Sequence, residues 1–90
     1  MELDELIDRV PAGWTLVSYD GRPYGLTRRD HAGGRSLSVL ATELGGSDVV
    51  STNVYRTADG DVLRPCEMPA GKVLAFLRGW TAPDESADGR

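Results

Sequence analysis

Turn-forming residues recur about every ten positions along most of this chain, and they constrain its fold more than any other feature. Asp20-Gly21 and Asp59-Gly60 are typical of two-residue hairpin turns, because glycine accepts the positive φ angles that such turns require. His31–Gly34 and Leu44–Ser47 are two further glycine-containing breaks. Short segments joined by tight turns pair as antiparallel strands. The spacing therefore predicts an antiparallel β-meander.

The segments between the turns alternate in polarity, as half-buried strands do. Leu37, Val39 and Ala41 occupy alternate positions in one segment, and the residues between them are Ser36, Ser38 and Leu40. The predicted strands are Trp14–Tyr19, Arg22–Asp30, Arg35–Thr42, Asp48–Thr57 and a short strand from Asp61 to Arg64. Such a set gives a meander of four to five strands with one face turned to a core.

Two amphipathic segments flank the strands. Residues 2–10 carry apolar side chains at helical spacing and predict a short N-terminal helix. Pro69 opens a C-terminal helix, with Gly79 at its C-cap and Trp80 folding back onto the core. The apolar stripe of that helix consists of Val73, Leu74, Phe76 and Leu77. We expect one α+β domain over residues 1–80, with the meander packed against the C-terminal amphipathic helix, and a flexible polar tail over 81–90.

Composition narrows the functional classes. The 90-residue chain has a net charge of −4, which disfavours a general nucleic-acid binder but allows a local basic surface. No apolar run approaches the roughly 20 residues that cross a bilayer, so we expect no membrane partner. A single cysteine cannot form a disulfide within the chain, which agrees with a cytoplasmic location. One histidine and one cysteine fall short of a typical metal site, and no cofactor is expected.

Cys66 is the only cysteine and the only candidate catalytic residue. It precedes the predicted C-terminal helix, where the helix dipole and free N–H groups stabilise a thiolate. A thiolate there would suit a nucleophile or a redox sensor. The alternative is a buried cysteine that packs as a small apolar residue. Without a second cysteine, a redox cycle needs an external thiol or a second subunit.

Four arginines and one acid lie between residues 22 and 35. Arginines contact phosphates and aromatic rings stack on bases, so this hairpin is a candidate for binding single-stranded nucleic acid. The candidate binding residues are Arg22, Tyr24, Arg28, Arg29 and Arg35. The alternative is a solvated hairpin whose arginines offset the acidic ends of the chain.

Two stretches of the chain resemble a set of short prokaryotic proteins of about this length. They are Glu43–Arg56, and Leu63–Pro69 with the Lys72–Leu74 and Phe76-Leu77 segments that follow it; the Gly21–Gly25 turn adds to the likeness. The resemblance covers about residues 20–79. Some of these proteins carry the name peptide methionine sulfoxide reductase, which implies a thiol-based oxidoreductase. The chain has neither the Gly-Cys-Phe-Trp motif of A-type reductases nor the Cys-x-x-Cys pairs of B-type reductases, so only Cys66 can carry that activity.

Three functional hypotheses remain open. The absence of a complete catalytic set favours a non-enzymatic interaction module, which would bind an unknown protein partner or a second copy of itself. The second hypothesis is thiol redox chemistry at Cys66, including methionine sulfoxide reduction. The third is single-stranded nucleic-acid binding through the Arg22–Arg35 hairpin.

Overall fold

The structure is a computed structural model, which describes residues 1–83. Its elements are α1 (Leu3–Asp8), β1 (Gly13–Tyr19), β2 (Arg22–His31), β3 (Ser36–Glu43), β4 (Val49–Thr57), β5 (Gly60–Pro65) and α2 (Ala70–Gly79). The five strands lie side by side in chain order, and each is antiparallel to its neighbour. This confirms the predicted α+β fold, with its meander and two flanking helices.

The turn between β1 and β2 has the geometry that its residues predict. Asp20 and Gly21 both have positive φ, at 54° and 75°. Two successive left-handed residues make a hairpin turn whose twist matches the right-handed twist of the strands it joins. Tyr19 and Arg22 therefore pair directly across the turn. The break at His31–Gly34 contains a short 3₁₀ turn.

One face of the sheet packs against both helices and holds the core. The buried apolar residues of the strands are Val17, Tyr24, Leu26, Leu37, Val39, Ala41, Val50 and Val54. Val73, Phe76 and Leu77 of α2 and Leu6 and Ile7 of α1 cover them. The ring of Phe76 contacts the rings of Tyr19 and Tyr24, with centroids 4.8 and 5.4 Å away. Trp80 also returns to the core, as the sequence predicts.

Gly79 was expected at the C-cap of α2, and this prediction is wrong. Trp80 is the C-cap, and Gly79 is the last helical residue. The glycine is required there for close packing, because a Cβ atom would lie 2.9 Å from Cε1 of Tyr19. The other helix ends also differ slightly from prediction: α2 begins at Ala70 with Pro69 as its N-cap, and α1 is limited to Leu3–Asp8.

The chain after α2 closes one edge of the sheet. The backbone N–H of Ser18 donates to the carbonyl of Thr81, and the N–H of Thr81 donates to the carbonyl of Ser18, both at 2.8 Å. Most of the predicted tail, residues 84–90, lies outside the described residues. Neither helix within residues 1–83 has the length and apolar character needed to span a membrane.

Candidate functional site: the open face of the sheet

The face of the sheet that points away from α1 and α2 is called the open face here. Successive strand residues point to opposite faces, so burial and strand register assign each side chain. The open-face positions are Trp14, Leu16 and Ser18 of β1; Pro23, Gly25, Thr27, Arg29 and His31 of β2; Ser36, Ser38, Leu40 and Thr42 of β3; Val49, Ser51, Asn53, Tyr55 and Thr57 of β4; and Gly60, Val62 and Arg64 of β5.

Exposed apolar side chains concentrate on the open face. Six of the eight large apolar residues exposed in residues 1–83 lie there. The six are Trp14, Leu16, Leu40, Val49, Tyr55 and Val62. Single exposed apolar side chains are ordinary, but a shared patch of them marks a contact surface. The open face therefore has the apolar content of a binding surface.

Trp14 forms an aromatic platform on this face. The Nε1 edge of its indole lies against Gly25, since a Cβ atom on Gly25 would be 2.7 Å from the indole Nε1. A glycine inside a strand is typical of such a close approach. Although it rests on the neighbouring strand, Trp14 stays 62% exposed. The outer side of the ring is thus available to a ligand, and the sheet already holds the ring in place.

The charged side chains that residues 1–83 place on the open face are all positive. Among residues 1–83, no Asp or Glu occupies an open-face position, although the whole chain has 14 acidic residues. Arg29 and Arg64 are both exposed, and neither forms an ion pair with a described residue. Ser38 and Asn53 lie between them in one cross-strand row. The row spans three strand spacings, or about 14 Å.

The five residues predicted to bind nucleic acid do not form one surface. Arg29 alone lies on the open face. Tyr24 is fully buried in the core. The side chain of Arg28 donates to the carbonyls of Ile7 and Val10 at the end of α1.

The remaining two arginines of that set have contacts of their own. Arg22 lies within 3.4 Å of Asp20 and 3.3 Å of Glu43. Arg35 donates from Nε to the carbonyl of Ala32 at 3.0 Å, inside the turn before β3. These contacts tie loops and strand ends together, so the two side chains contribute to the fold.

Tyr24 belongs to a polar network that joins the sheet to α2. Its hydroxyl donates to Oδ2 of Asp48 at 2.7 Å, and Nζ of Lys72 donates to Oδ1 at 2.7 Å. The hydrogen bonds from Lys72 and then Tyr24 lower the pKa of Asp48. Burial, followed by the hydrogen bond to Asp48, raises the pKa of Tyr24 to about 12. Tyr24 therefore stays neutral and acts as a structural donor.

Cys66 lies at the rim of the open face, directly after β5. It is half-buried, its N–H donates to the carbonyl of Ser51, and Nδ2 of Asn53 is 4.0 Å from its Sγ. The helix α2 begins four residues later, at Ala70. His31 is three strands away, at the other end of the face, and contacts Ser38. The separation of Cys66 and His31 is on the order of 20 Å by strand geometry, too far for a nucleophile–base pair.

Two surface cavities differ in charge. One, of about 370 Å³, lies against Tyr55 and Arg64. The other, of about 320 Å³, lies between the start of α1 and the β4–β5 turn. Its lining residues are Glu2, Leu3, Asp4, Asp59, Gly60 and Asp61. Within the described part of the chain, no group of three or more His, Cys, Asp or Glu side chains could hold a metal ion.

Sequence reasoning missed Trp14, Tyr55 and Arg64 as one set. Their positions are distant in the chain, and only the strand register brings them to the same face. A signal was present nonetheless: in each predicted strand, one of the two alternating sides lacks acidic residues. That signal becomes interpretable once the face that the helices cover is known.

Comparison with known proteins gives no match for this chain, whether with family models, curated proteins or solved structures.

Proposed function

We propose that the protein is a small non-enzymatic interaction module that binds an anionic partner on the open face of its sheet. The observation that carries this proposal is the combination, on the open face, of six exposed apolar side chains with two arginines that form no ion pair with a described residue, and with no described carboxylate. Most other basic side chains are engaged in the fold. Trp, Tyr and Arg are also the residue types that contribute most at binding surfaces.

An enzymatic role has less support. Cys66 is half-buried and has neither a histidine nor a second cysteine beside it. A thiol reaction needs a base or a lowered pKa to activate the nucleophile. The open face, by contrast, has the groups that binding requires. We therefore favour binding over thiol-based reduction. The expectation of a cytoplasmic location is a separate one and is unchanged.

A second copy of the chain is a less suitable occupant. Symmetric pairing of two open faces would bury two copies of Arg29 and two of Arg64 with no carboxylate from either strand surface. Desolvating unpaired charges costs several kcal/mol. An anionic partner removes this cost because it supplies the missing charge.

The proposal is tested with inorganic polyphosphate, a polyanion without rings. Calorimetric titrations at about 50 and 200 mM salt would compare wild type with the double variant Arg29→Gln/Arg64→Gln. The slope of log K against log salt should fall by about 1 for each arginine removed. The matched control is Arg35→Gln/Arg78→Gln, which has the same net charge but alters arginines off the open face. Since Arg35 contacts the turn before β3, circular dichroism first confirms that the control is folded. The control should bind as wild type does.

Three results would overturn the proposal. One is no binding of polyphosphate by the wild type at low salt. Another is an equal loss of binding in the control variant. The third comes from sedimentation velocity: a wild-type dimer that Leu40→Ser converts to a monomer would show that the open face binds a second copy instead.

A further inference from the structure

We propose that the anionic partner is a single-stranded nucleic acid, whose bases stack on Trp14 and Tyr55 and whose phosphates contact Arg29 and Arg64. This inference rests on the proposed function and assigns the ligand class to the same surface. Arginines alone would accept any polyanion, whereas exposed aromatic rings select a polyanion that carries aromatic groups.

Trp14 is held against the neighbouring strand. The Nε1 edge of its indole contacts Gly25, and 62% of the residue remains exposed. A ring that the sheet already holds loses little conformational freedom when a base stacks on it. A nucleic-acid base can stack on such a ring, whereas the acidic side chains of an anionic peptide have no ring to stack. The paired Gly25 and Trp14 therefore favour a planar ligand.

Tyr55 provides a second exposed ring on the open face. Tyr55 is 46% exposed and lies three strands away from Trp14. The two residues are also two cross-strand rows apart. Strand geometry puts their Cα atoms about 20 Å apart. Two platforms at this separation can hold two bases of one strand that are not adjacent.

A row of polar side chains lies between the two rings. The row runs from Arg29 through Ser38 and Asn53 to Arg64, and it lies between the row of Trp14 and the row of Tyr55. A backbone that crosses from one platform to the other must pass over this row. By strand geometry it crosses the row near Arg29 and Ser38, and it then reaches Tyr55, which lines one cavity together with Arg64. The face thus offers rings on which bases can stack and cations that can contact phosphates. These are the two ways in which proteins hold single strands.

The size of the face sets the length of the ligand. Five strands spaced about 4.8 Å apart, with about six residues each at about 3.3 Å, give a surface of roughly 24 by 20 Å. This suits the smallest single-strand sites, about four nucleotides long. A duplex is excluded as the main ligand, because its bases are already stacked and cannot reach the rings.

The test compares three probes by competition against one labelled oligonucleotide. The probes are a mixed-sequence single strand of about eight nucleotides, the same sequence as a duplex, and inorganic polyphosphate of equal charge. The single strand should bind at least about tenfold more tightly than the other two. Trp14→Ala and Tyr55→Ala should each weaken single-strand binding by about 5- to 100-fold and leave polyphosphate binding unchanged.

Two further variants separate stacking from general damage. Gly25→Ala should weaken single-strand binding, because the added Cβ displaces the indole from its seat. Leu44→Ala removes an exposed apolar residue that lies off the open face, so its affinity should equal that of wild type. Circular dichroism would confirm that each variant is folded before its affinity is compared.

The outcomes distinguish the two proposals. If polyphosphate and the single strand bind equally, or if Trp14→Ala has no effect, the nucleic-acid inference fails while the anion-binding face stands. If an acidic peptide of equal charge binds more tightly than the oligonucleotide, the partner is a protein and the inference also fails. If no probe binds at low salt, both proposals fail.

Discussion

At the scale of single residues, most polar side chains of this small domain are engaged in holding it together. Arg9 shows the pattern: it donates to the carbonyls of Leu77 and Trp80 at the end of α2 and lies over the ring of Trp80 at 4.8 Å. Cations at a helix C-terminus satisfy carbonyls that have no partner within the helix. On the open face, by contrast, Arg29 and Arg64 form no ion pair with a described residue.

The Tyr24–Asp48–Lys72 network makes a residue-scale prediction about pH. In the unfolded chain, Tyr24 loses its proton near its ordinary pKa of 10.0, whereas in the folded protein it keeps the proton up to about 12. The folded state therefore binds more protons in this range, and stability falls as pH rises from about 10 to 12. Tyr24→Phe should remove this loss. Urea unfolding of both proteins across the range measures it.

At acidic pH, the same network predicts the opposite trend, in which stability falls as pH decreases. The pKa of Asp48 is lower in the folded protein, so its contribution to stability is present above its ordinary pKa and is lost as pH falls. Tyr24→Phe removes one hydrogen bond to this carboxylate, so the acid loss should shrink but persist through Lys72. At neutral pH the variant should lose about 1–2 kcal/mol. Identical profiles for the two proteins would contradict this account of the network.

At the scale of elements, α1 is too short to be stable alone, because isolated helices of this length are marginal in water. It is fixed to the sheet by Leu6 and Ile7 and by Arg28, which donates to the carbonyls of Ile7 and Val10 at 3.0 and 3.2 Å. These bonds cap the end of the helix from the sheet below it.

Arg28→Met should therefore loosen α1 selectively. Methionine keeps the apolar stem of the side chain but cannot donate to the two carbonyls. We expect a loss of about 2 kcal/mol of stability and faster amide exchange in α1, with protection of β2–β4 retained. Arg29→Met is the matched control, because Arg29 follows Arg28 in the chain but lies on the open face and contacts neither carbonyl. Unchanged exchange in α1 of the Arg28 variant would refute the capping role.

The elements also show where the sequence was informative. Alternation and turn residues predicted all five strands to within two residues, because both signals are local. Gly79 was misread, because its close contact with Tyr19 is tertiary and leaves no local pattern. Gly25 was uninformative for the same reason: only the structure shows Trp14 above it. The candidate site was predicted in part, through Arg29. The rest was missed because the sequence alone does not show which face of the sheet the helices cover.

At the scale of the whole molecule, the chain separates its charges. Its net charge is −4, yet the described acidic residues leave the open face entirely positive. The net charge of the whole chain does not show this separation. It therefore disfavours nucleic-acid binding more strongly than the charge of the open face does. Within residues 1–83, both helices lie on one face of the sheet, and the other face carries no helix.

The two tryptophans provide the most direct test of this account. Trp14 lies on the open face, whereas Trp80 is buried in the core at the end of α2, and each has one indole N–H signal in a ¹H–¹⁵N NMR spectrum. Trp80→Phe identifies which signal is which. During titration with the eight-nucleotide single strand, the Trp14 signal should shift and the Trp80 signal should not. A stationary Trp14 signal at saturating oligonucleotide would contradict the central claim.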